Sequence, residues 1–127
     1  MPRNVWHRLR EAEAVTVTRR LPVQFDLEAR TEVATTGPVS LTRVAHQVRQ
    51  DMWRGVQGVR GFSPAVRVEL RTGGVCIIAG GRIDGAAPTE ATLHRLQRLL
   101  ESRAHQGRWL RHAALDPSAR ERGCACT

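Results

Sequence analysis

The chain contains no lysine and no tyrosine, and only 4% of its 127 residues are aromatic. Its core therefore has to be aliphatic, built from Val, Leu, Ile and Ala. All twenty of its fixed side-chain cations are arginines. Codons of a GC-rich, bacterial genome produce such a bias. The functional counterpart is a demand for planar guanidinium groups that pair with phosphate or carboxylate through two parallel hydrogen bonds.

Other absences narrow the class. No apolar run approaches the ~18 residues that cross a bilayer. The first ten residues, MPRNVWHRLR, have no hydrophobic signal core. Three cysteines is an odd number, with Cys76 alone and Cys124 and Cys126 at the very end, so there is no disulfide framework. These features predict a cytoplasmic protein without a membrane span.

Catalytic and cofactor motifs are missing too. Gly80-Gly81-Arg82 fits neither a P-loop nor a dinucleotide fingerprint, and none of His7, His46, His94, His105 and His112 belongs to an HExxH pattern. His94 and His105 share a helical stripe but lie too far along it to hold one metal. Cys124-Ala125-Cys126 offers two thiolates without further ligands, and the last four residues have only the outline of a prenylation box. No spacing singles out a nucleophile with an oriented base. The expectation is a protein with no metal, no cofactor and no enzymatic activity.

What is present is an ordinary globular balance, 41% hydrophobic and 25% charged, in a chain of one-domain length. Val5, Trp6 and Leu9 among Arg3, Arg8 and Arg10 suggest a short amphipathic helix or an arm docked through Trp6. From Val15 to Ala29 apolar residues alternate with polar ones, the period of one or two half-buried strands, and Pro22 marks an edge, bulge or break. Ser40 is a good N-cap for a helix over 41–58 whose stripe runs Leu41, Val44, Ala45, Val48, Met52, Val56 and Val59. Val66, Val68 and Leu70, the turn Thr72-Gly73-Gly74 and the run Val75–Ala79 predict a hairpin. That last run is apolar on both faces, which suits a central strand or one covered by a partner. Leu93, Leu96, Leu100 and Ala104 give a second helix starting at Pro88-Thr89 and interrupted at Gly107, after which Trp109 and Leu110 return to the core. Asp116-Pro117 has the form of a final helical turn.

The implied order is β(β)-α-β-β-α. The fold class is α+β, a two-layer sandwich with an antiparallel sheet of three to five strands and two amphipathic helices on one face. Residues 1–115 form the single domain and 116–127 a flexible tail.

The net charge is +8 and the isoelectric point about 11.4. This favours a polyanion or an acidic protein as partner. The charge is localised: in residues 40–61 four arginines face Asp51 alone, and in 86–112 five face Glu90 and Glu101. Arg43, Arg49, Arg54, Arg60, Arg95 and Arg98 are thus candidate phosphate contacts on one arginine-rich helical surface. Gly58 and Gly61, in a run with a glycine at every third position, would permit close backbone approach. Trp53, beside Arg54, is a candidate for base stacking or an interface. The sequence reading is a small binding module for nucleic acid or a ribonucleoprotein. Its alternative is an assembly subunit, a homo-oligomer or an accessory part of a larger complex, docking through strand 75–79.

Overall fold

The computed structural model describes residues 5–85 and 89–115. The expected helix start at Pro88, the turn at Asp116-Pro117, the tail and Cys124 with Cys126 lie outside them. In chain order the elements are β1 (His7–Glu11), β2 (Ala14–Thr18), β3 (Leu27–Ala34), α1 (Leu41–Val56), β4 (Phe62–Arg71), β5 (Gly74–Ile83), α2 (Thr89–Glu101) and α3 (Arg103–Ala113). The strands form one sheet in the order β1-β2-β4-β5-β3, with every neighbouring pair antiparallel. The fold is α+β, as the sequence implied.

Register aligns the apolar residues. Val17, Val66, Ala79 and Ala29 form one cross-strand row, and Val15, Val68, Ile77 and Thr31 the next. Alternation puts these rows on one face. The buried stripe of α1 (Val44, Ala45, Val48, Met52, Val56) packs over them with Leu96 and Leu100 of α2 and Trp109 of α3. Fully burying each large side chain contributes about 2 kcal/mol relative to leaving it exposed, so the sheet face and the helix stripes select one another. The Ser40 Oγ accepts from the Arg43 backbone N–H at 3.2 Å and caps α1 as expected.

Three expectations need correction. Residues 7–11 are an edge strand rather than a helix, although Trp6 does dock, against Trp53. The order is therefore β-β-β-α-β-β-α-α. The C-terminal helical region divides at Ser102, not Gly107. Ser102 leaves the helical conformation and its Oγ accepts from the His105 N–H, so a new helix starts there. Gly107 stays inside α3, where a glycine costs only about 1 kcal/mol relative to alanine. The described residues thus hold three helices, not two, with α3 packed on α1 and α2.

The opposite sheet face is lined with charge. Arg67 reaches Glu11 and Glu69 at 2.5 and 2.6 Å, Arg71 reaches Glu69 at 2.5 Å, and Arg30 reaches Glu28 at 3.0 Å. Arg67 and Arg30 flank Ile78 in the register, and Glu69 and Glu32 flank Cys76. Ile78 and Cys76 are buried within the chain itself. Their burial pushes the Cys76 thiol pKa up. At the far end of β5, a Cβ on Gly80 would collide with the Leu27 carbonyl, and one on Gly81 with the Ser63 carbonyl. The glycine pair lets β3 and β4 close on β5 there, and this sets the position of Ser63 and Pro64.

Candidate nucleic-acid interface

The site arises from where β1 runs. Arg8 pairs with Val17 and Arg10 with Val15, so both arginines point to the same side of the sheet as the core valines. At the sheet edge that side is not covered by apolar residues. It faces the flank of α1 that carries His46, Arg49 and Trp53, spaced three and four apart on one helical stripe. Trp6 meets Trp53 edge to face, with ring centroids 5.9 Å apart and planes at 89°. Arg8 acts electrostatically on His46. Trp6 and Arg8 thus lie beside Trp53, Arg49 and His46, and β1 and this flank of α1 border a shared basic strip, here called the groove.

Arginines brace the indoles. The Arg49 guanidinium lies 5.1 Å from the Trp6 ring centroid. Arg19, just past β2, lies 5.9 Å from Trp6 and 5.6 Å from Trp53, and its Nη1 donates to the Val5 carbonyl at 3.0 Å. Cation–π contacts of this kind are worth about 0.5–1 kcal/mol when exposed and more when water is excluded.

Among the described residues no carboxylate lies within ion-pair distance of Arg8, Arg10, Arg19 or Arg49, although eight such pairs form elsewhere. Burial lowers the Arg49 pKa. Burial first, and then the charges of Arg49 and Arg8, hold the His46 imidazole below its ordinary 6.5. The groove is thus a cationic strip with an aromatic end and, among the described residues, no counter-ion.

The sign of the His46 effect is testable. Unfolded His46 takes up its proton near 6.5, and the folded protein resists it. The stability it supports is present above 6.5 and is lost as pH falls below that value. Denaturant midpoints measured from pH 7.5 down to 5 should fall less steeply in His46→Gln than in the wild type. Parallel curves for the two proteins would refute this.

The sequence candidates are distributed unevenly. Arg49 and Trp53 lie in the groove. Arg54 is 73% exposed on another flank of α1, 3.7 Å from Asp51. Arg95 donates to the Gly55 carbonyl and joins α2 to the end of α1. Arg43 is exposed in the first turn of α1 and Arg98 in the last turn of α2. Arg43 and Arg54 are separated by about 16 Å along the helix axis. Gly58, exposed Arg60 and Gly61 (φ 79°) fall in the turn between Gln57 and Phe62. The helical arginines thus do not gather into one surface. Sequence reasoning missed Arg8, Arg10, Arg19 and His46. The available signal was Trp6 within a run of arginines.

Comparison of the chain with protein-family models, with curated proteins and with solved structures gives no match in any of the three. Function has to be argued from the groove. Among the described residues no three His, Cys, Asp or Glu side chains gather as a metal site, and no helix is long and apolar enough to cross a membrane.

Proposed function

We propose that the chain is a small, non-enzymatic module that binds nucleic acid, free or within a ribonucleoprotein, along the groove between β1 and α1. The observation that carries this reading is a pair of indoles braced by Arg19 and Arg49 and continued along β1 by Arg8 and Arg10, with no carboxylate among the described residues within ion-pair distance of the four. Like charges brought together without a carboxylate raise the free energy of the empty protein, and an anion relieves that cost. Phosphates satisfy guanidinium groups with two parallel bonds, and bases stack on indoles. An acidic protein would meet the first demand and could use the indoles as apolar anchors, so it is the competing ligand that the test has to separate. The assembly reading through strand 75–79 has less support, because the outward Cys76 and Ile78 are buried within the chain.

The test is a titration of a short single-stranded oligonucleotide over a range of salt. Four arginine–phosphate contacts give a slope of log affinity against log salt of about −3, at ~0.7 per contact on single strands. Arg43→Gln and Arg98→Gln, outside the groove, should leave affinity and slope nearly unchanged. Affinity no better than that of an unrelated protein of equal charge would dismiss the proposal.

A further inference from the structure

The groove opens at its Trp53 end into a cleft of about 500 Å³ where β1, β2, α1 and β4 converge. Its walls are chemically distinct. Trp53 is half-buried there, Phe62 and Pro64 give an apolar floor, and Arg19 bridges to the groove. Val5, Gln57 and Ser63 line it too, and neither the Gln57 nor the Ser63 side chain has a hydrogen-bond partner among the described residues. Arg20, already paired with Asp84 at 2.7 Å, and His7 are the remaining lining residues.

We infer that this cleft seats one unstacked nucleobase, so that the module takes single strands in preference to duplex. The inference rests on the nucleic-acid reading above and adds the form of the ligand. The volume falls within the range of small-molecule sites, roughly 300–1,000 Å³. An indole and a guanidinium are the two planar groups on which a splayed base stacks. Gln57 offers both a donor and an acceptor, and Ser63 a hydroxyl, to the polar edge of the base. A base inside a duplex has neither a free face nor a free Watson–Crick edge, so it meets none of these groups. The arginines of the groove continue away from the cleft along β1, where the phosphates of the same strand would follow. That continuity favours a strand over a free nucleotide.

The experiment uses the full chain and reads tryptophan fluorescence. Trp109 is fully buried and contributes a constant background. Five probes are compared at one salt concentration: an eight-nucleotide single strand, the same strand with abasic sugars, its duplex, a nucleoside monophosphate and poly-glutamate. The base-bearing strand should quench and bind about tenfold more tightly than the abasic strand or the duplex. Gln57→Ala, an exposed position, should reduce that margin without changing abasic affinity, whereas Arg8→Gln should weaken both strands. Equal affinity and equal quenching by base-bearing and abasic strands would overturn the base seat and leave the polyanion groove standing. A monophosphate binding as tightly as the strand would overturn the strand geometry. Binding of none of the nucleic acids, or tighter binding of poly-glutamate, would overturn both readings.

Discussion

A chain carrying Arg19→Ala and Arg49→Ala together should bind a single-stranded oligonucleotide roughly a hundredfold more weakly at moderate salt. Each guanidinium acts twice. In the proposed complex it would neutralise a phosphate, and in the free protein it braces the indole pair, Arg49 against Trp6 and Arg19 against both rings. Losing two contacts should also shallow the salt slope from about −3 to about −1.5. Among the described residues neither side chain pairs with a carboxylate, so far-UV circular dichroism should be unchanged. A loss below threefold with the slope retained would show that the ligand lies elsewhere.

The groove also shows where sequence reasoning stops. α1 and the β4–β5 hairpin were legible because local signals agree: Ser40 as cap, a stripe of period 3.6, strict alternation, and Thr72-Gly73 at the turn. β1 was not. Its inward residues are Arg8 and Arg10, so residues 7–11 carry no apolar face and give no strand period. The break at Ser102 was also hidden, since serine is tolerated within helices and its role as a cap depends on geometry. Arg49 and Trp53 were visible as a basic and an aromatic residue on one helix. Their partners come from β1 and the end of β2, more than twenty residues away, and only the strand order brings them together.

On the other flank of α1, Asp51→Ala should cost about 3 kcal/mol of stability. The Asp51 side chain is 7% exposed, accepts from Trp109 Nε1 at 2.6 Å and pairs with Arg108. Trp109 is wholly buried beneath α1. Removing the carboxylate leaves an indole N–H without an acceptor and a half-buried guanidinium without its counter-ion. The contact with Arg54 is mostly solvated and adds little. For a chain of this size the melting midpoint should fall by roughly 10–15 °C. Asp51→Asn keeps an acceptor for Trp109 and should lose about half as much. Losses below 1 kcal/mol in both variants would mean that α3 is held by apolar packing alone.

The unanswered arginines of the groove also bear on thermal robustness. Arg8 and Arg10 stand two residues apart on one strand face, with Arg49 half-buried beside them. Their mutual repulsion works against the ligand-free fold. Arg8→Gln should therefore raise the melting midpoint of the empty protein by a few degrees while weakening its binding, and added salt should stabilise the wild type more than this variant. A melting midpoint lowered by Arg8→Gln would show that the arginine is needed for the fold. A random screen for heat-resistant variants should lose charge from this strip first and return proteins that are hardier and unable to bind.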